Sequence, residues 1–145
     1  MSTQEPATQL LSPERSFYLQ QAAAETLELL QRFSGHDIKY GPTALQLLDE
    51  WIERLARRNA LSPKTRGLIL AFVGHTFLNR HGGYWATTDL GGHQVLGVVC
   101  PVVGSGGETR FINIAEQVHR RLANGIRDSL ALSFLQISVE LKSGF

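Results

Sequence analysis

The chain carries almost no sulfur, with one cysteine, Cys100, and one methionine. A lone cysteine cannot close an internal disulfide, so the small disulfide-stapled secreted folds are excluded and a reducing, cytoplasmic setting is expected. Proline is scarce, at 5 of 145 residues, which leaves no room for a long proline-rich linker. Long hydrophobic runs are missing too. The best of them, "LILAFVGH", stops at His75, far short of the roughly 18 residues a membrane span needs, so no membrane partner is expected. An excess of one charge is also lacking. With 14 basic and 13 acidic residues the net charge is +1, below what a nucleic-acid surface demands, and nucleic acid is not expected as a partner. The opening "MSTQEPATQ" is polar, has no basic residue and no apolar core behind it; residues 1–11 therefore read as a disordered tail and not as an export signal.

What is present is an ordinary globular composition, 43% hydrophobic and 19% charged. Residues 12–145 are expected to form a single domain, and a chain of this size buries roughly 68–70% of its unfolded surface. The charge is unevenly spread. Residues 1–53 hold 3 basic and 8 acidic side chains, whereas residues 54–145 hold 11 and 5.

Helix signals dominate the first half. "SPER" combines Ser12 as a cap, Pro13 at the first helical position and Glu14 at the positive end of the dipole, and Leu19, Ala23, Leu27, Leu30 and Phe33 then recur at helical spacing up to Gly35. A second amphipathic helix follows "YGP", with Leu45, Leu48, Ile52 and Leu55 on one stripe; Asp49, Glu50 and Glu53 come before Arg54, Arg57 and Arg58, the order that suits the helix dipole, Glu53–Arg57 is a favourable pair, and these charges need no functional explanation. Ser62-Pro63 opens a third helix that runs to Gly82-Gly83 and is apolar on nearly every side between Leu68 and Leu78. Such a segment should be the encased centre of the fold, with Gly67 and Gly74 lining a face of close approach.

Beyond it the period changes. "YWATT", "HQVLGVVCPVV" and "TRFINI" read as a three-stranded antiparallel meander, with Tyr84 and Trp85 on opposite faces and Pro101 marking a bulge or an edge. Asn113 with Glu116 predicts a cap and its reciprocal partner for a fourth helix ended by Gly125. Residues 129–141 fit helix and strand patterns alike, and their length favours helix. The fold class expected is α+β, a helical layer around a central apolar helix packed on a short sheet.

The chemistry-bearing residues do not form a familiar set. Six helical positions separate His75 from His81 by about 240°, so one helix cannot aim both at a metal. Glu116 and His119 give a single Glu-x-x-His unit where di-metal bundles use two, and no metal site is expected. Glycines 104, 106 and 107 lack the third glycine and the helix of a dinucleotide loop and suit a strand-to-strand turn; no cofactor is expected. Cys100, between Val99 and Pro101, reads as a small buried apolar group, and no Gly-x-Ser-x-Gly elbow exists. Arg57, Arg58, Lys64, Arg66, Arg120 and Arg121 read as a solvated basic surface. One stretch remains, "LNRHGGYWATTDLGGH". There Arg80, His81 and the outward ring of the Tyr84–Trp85 pair are expected beside His93 across the hairpin, with His75 nearby, as a small recognition surface.

"YGPTALQLLDEWIERL" (40–55), "LAFVGHTFLNRHGGYW" (70–85) and "VHRRLANGIRDSLALSF" together resemble a bacterial family of small α+β domains of unknown function, marked by Tyr-Gly-Pro, Leu-Asp and Gly-Gly-x-Trp patterns. The likeness covers most of residues 38–135 and implies helices against a short antiparallel sheet, with no substrate and no catalytic residues. His75 stands where that family often has a glutamate. The expectation is a non-enzymatic bacterial interaction or regulatory module that binds a protein partner or itself. The alternative is a small-molecule-binding or hydrolytic enzyme whose site gathers His75, His81, His93 and Cys100 from separate elements.

Overall fold

Both Ser-Pro pairs start helices. In the computed structural model, which describes residues 8–143, the Ser12 hydroxyl accepts from the Arg15 amide at 3.3 Å and opens α1 (Pro13–Ser34), and Ser62 accepts from Thr65 at 3.1 Å and opens α3 (Pro63–His81). Between them lies α2 (Pro42–Arg57), which starts behind Gly41 with no side-chain cap. The chain then forms β2 (Tyr84–Leu90), β3 (His93–Pro101), β4 (Thr109–Ile112), α4 (Ile114–Asn124), a 3-10 turn over Gly125–Asp128 and α5 (Leu130–Ser143). The ambiguous tail is thus helical. Asn113 caps α4 through the Glu116 amide at 2.9 Å, while the Glu116 carboxylate turns to Arg120 instead of reaching back to the cap.

The sheet has one strand more than the meander read from the sequence. Thr8–Leu10 forms β1, antiparallel to β2 with Thr8 opposite Thr88 and Leu10 opposite Ala86, and the strand order is β1-β2-β3-β4. The expected disordered tail over residues 1–11 is corrected accordingly: residues 8–10 are sheet, residues 1–7 lie outside the described residues, and Leu11 is buried, with its amide on the Trp85 carbonyl at 3.1 Å. Two forces hold the segment, the burial of Leu11 and the ladder of bonds that β2 offers. Pro101 ends β3 two residues past the last pairing with β2, where no partner on that side needs an amide.

All helices stack on one face of the sheet around α3, whose Leu68, Ile69, Ala71, Phe72, Val73 and Phe77 are buried together with Leu30 of α1, Leu45, Leu48 and Ile52 of α2, and Phe134 of α5. The middle segment is encased as expected. Thr26 of α1 donates to the carbonyls of Ala22 and, across the helix pair, of Leu68. The pair of glycines behaves unequally. A Cβ on Gly74 would fall 2.0 Å from the Trp85 ring, so this glycine is the socket for that indole, whereas nothing comes within 4 Å of such an atom on Gly67. No helix among the described residues is long and apolar enough to cross a membrane.

One charged cluster departs from the surface reading. Arg121 of α4 is 2% exposed, its Nε donates to Asp49 at 2.7 Å, and its Nη2 donates to the Asp49 carbonyl and to Glu53, both at 3.0 Å. Asp49 also accepts from the Ser129 hydroxyl and from the Leu130 and Ala131 amides, so a carboxylate on α2 caps the start of α5. Neither residue is solvated. A buried pair with every lone pair occupied ties α2, α4 and α5 together, and removing one partner of such a pair costs about 3–5 kcal/mol.

Candidate functional site

The stretch singled out in the sequence is divided by the fold. Trp85 points inward, 4% exposed, into its Gly74 socket, and Tyr84 points outward, 44% exposed; the alternation of the two rings is as expected. His93 is not beside them. Gly91 and Gly92 form a two-residue turn, so His93 pairs with Leu90 while Tyr84 pairs with Val99, six register steps or about 20 Å along the strands. The recognition surface expected from Arg80, His81, Tyr84 and His93 is therefore not assembled.

The remaining histidines have separate neighbours. His75 is half-buried with its ring edge-on to Tyr40 at 4.6 Å between centroids, and Tyr40 also meets Phe72 at 5.2 Å, so the Tyr-Gly-Pro segment docks on the middle of α3. Burial lowers the His75 pKa and raises that of Tyr40. His81, at the end of α3, shares a hydrogen bond with the Ser138 hydroxyl at 2.8 Å and lies against Phe77 and Phe134. Its pKa is lowered first by burial and then by the positive charges of Lys142 and Arg80. Arg80 itself is exposed. Ser138, 57 positions away in α5, had no local signal as a partner.

Cys100 is fully buried on the helix side of β3, and burial pushes its thiol up to about 12, which leaves no thiolate for nucleophilic attack at neutral pH. His75, His81, His93 and Cys100 thus occupy four environments and do not converge. Among the described residues, no three or more His, Cys, Asp or Glu side chains gather in a way that could hold a metal ion. Glycines 104, 106 and 107, all at positive φ, turn the chain from β3 to β4, and the Ser105 hydroxyl closes that turn by donating to the Val102 carbonyl and accepting from the Glu108 amide.

What the fold does gather is the side of the sheet that faces away from the helices. Register places Leu10, Ala86 and Gly97 in one row, Thr8, Thr88 and Val95 in the next, and Tyr84, Val99 and Phe111 in a third, with Leu90 beside His93 at the far end. Leu10 is 70% exposed and Leu90 40%, whereas Ala86, Thr88 and Val99 between them are buried and form a closed floor. The Ala86–Gly97 row is the low point: the Phe111 ring leans over Gly97, where a Cβ would meet it at 2.7 Å, and a shallow hollow of about 490 Å³ is lined by Thr8, Tyr84, Thr88, Leu90, Val99 and Phe111. The hydroxyls of Thr8 and Thr88 bond to each other at 2.9 Å at the margin of an apolar floor, which Thr109 also borders. No Asp, Glu, Lys or Arg side chain points from any of the four strands onto this face. The sequence carried a partial signal in the period-two alternation of β2 and β3. The contribution of β1 and Phe111 needed the register. Comparisons of the chain with protein-family models, with curated proteins and with solved structures gave no match in any of the three.

Proposed function

We propose that the chain is a non-enzymatic interaction or regulatory module that binds another protein through the uncovered face of its sheet. The observation that carries this reading is a contrast of distribution: the histidines and the cysteine are dispersed, while Leu10, Tyr84 and Leu90, three of the ten large apolar side chains that are exposed among the described residues, share one sheet face onto which no Asp, Glu, Lys or Arg of the strands points. Aromatic and aliphatic side chains around a shallow hollow, with threonines at the margin, are the composition of a protein contact. A bacterial origin accompanies this reading through the family resemblance, and a cytoplasmic setting suits a chain whose single thiol is unpaired and buried.

Site-specific photo-crosslinking tests it. A benzophenone amino acid placed at Tyr84 or at Leu10 is expected to give a covalent protein adduct in living cells, and the same group placed at the exposed Gln20 of α1 none. Absence of adducts from both sheet positions would refute the reading.

A further inference from the structure

The occupant of the uncovered sheet face can be specified further, on the premise that this face is the binding surface. We infer that it is a second copy of the chain, packed sheet against sheet about a two-fold axis to make an eight-stranded sandwich.

Three properties point to self-association. The first is charge. A two-fold interface sets each residue near its own symmetry mate or that of a neighbour, so any ionised side chain on the surface tends to meet its like. This chain carries 27 ionised side chains of the Asp, Glu, Lys and Arg types, and none of them points from β1, β2, β3 or β4 onto the helix-free face. Arg110, the one basic residue in β4, points to the helix side and pairs with Glu140 of α5. A charged partner such as nucleic acid or an acidic peptide finds no counter-charge on the face, whereas a second neutral copy meets no repulsion.

The second property is relief. Tyr84 and Leu90 stand up on either side of the low Ala86–Gly97 row, and the hollow between them is of a size to receive such side chains. A surface with both knob and hollow can interdigitate with itself, as the inner faces of β-sandwiches do at a spacing of about 10 Å.

The third is area. The 23 residues of the four strands, at about 3.3 Å per residue and about 4.8 Å between strands, give a footprint on the order of 360 Å² per copy. Two copies bury on the order of 700 Å² before side-chain relief is added, below the standard range of stable interfaces, so the association is weak and reversible.

Sedimentation of the purified full chain over a range up to about 1 mM reads the outcome directly. The expected result is a concentration-dependent rise from the 16.0 kDa monomer to twice that mass. Tyr84→Lys and Leu90→Lys, each of which brings a buried charge from both copies into the interface, raise the dissociation constant at least tenfold with unchanged circular dichroism, and Leu132→Lys on the exposed side of α5 leaves it unaltered. A monomer at every concentration overturns self-association, as does a dimer indifferent to both sheet substitutions. The in-cell crosslink separates the two levels of inference: an adduct from Tyr84 whose mass differs from two chains sinks the homodimer and keeps the interaction module, and no adduct sinks both.

Discussion

The two faces of the sheet use the same strands and differ in what lies over them. On one side Trp85, Val98, Cys100 and Ile112 are covered by helices and belong to the central core. On the other, Leu10, Tyr84 and Leu90 are apolar side chains in water. Alternation along β2 and β3 gives both faces apolar residues, as in strands buried on two sides, yet the described residues supply only one helical layer. Among the described residues no helix lies over this second surface, although its side chains have the composition of an interior.

This contrast can be broken most forcefully at the neighbouring pair Trp85 and Tyr84. Trp85→Ala empties the Gly74 socket and should lower the unfolding free energy by about 3–5 kcal/mol in urea titration. Tyr84→Ala, measured at dilution where the chain is monomeric, should cost under about 1 kcal/mol. Equal losses would mean that the outer face is covered after all. Next in size is Gly74→Ala, expected to cost about 1–3 kcal/mol because the new methyl overlaps the indole. That cost should shrink in a Trp85→Leu background, and a double-mutant cycle with no coupling would deny the socket.

A smaller, pH-dependent effect marks the inner face alone. The Cys100 thiol rises from 9.0 to about 12 on burial, so folding favours the protonated form. The stability this contributes is whole below about pH 9 and is lost as pH climbs toward 12. Urea midpoints for the natural chain should therefore fall more steeply between pH 9 and 11 than those of Cys100→Ala, and parallel slopes would contradict a sealed thiol. The histidines act in the opposite direction: His75 and His81 have lowered pKa values, so their share of stability is present above the ordinary 6.5 and declines as the solution is acidified below it. Smallest of all, Tyr84→Lys should change monomer stability by less than about 0.5 kcal/mol while dispersing the dimer, since a lysine at an exposed strand position stays in water.

Much of the fold could be read along the chain because its signals are local. Ser12, Ser62 and Asn113 each cap a helix within three residues, and the run from Leu68 to Leu78 has no polar side to offer solvent. Residues whose partners are distant carry no such local signal. Asp49 and Arg121 are 72 positions apart, and local pattern alone makes Arg121 a surface charge and Asp49 a residue that merely suits the helix dipole. A clue did exist, since Asp49 sits on the same stripe as Leu45 and Ile52, and Arg121 follows Ile114 and Val118 on the buried side of α4. A charge in an apolar stripe asks for a buried partner of opposite sign. His93 could have been placed by counting, because a Gly-Gly turn fixes it opposite Leu90 and away from Tyr84. By contrast, Thr8–Leu10 is too short to show any period, and it becomes a strand only because β2 presents a free edge.

That first strand also governs the order of events at synthesis. Thr8 bonds to Thr88, 80 positions downstream, so while a ribosome is still making α3 the amino-terminal segment has nothing to zip onto and must wait for β2 to emerge. Helices α1, α2 and α3 are all made before β2, and α1 packs on both of the others, so closure of the sheet edge is a long-range pairing that follows them.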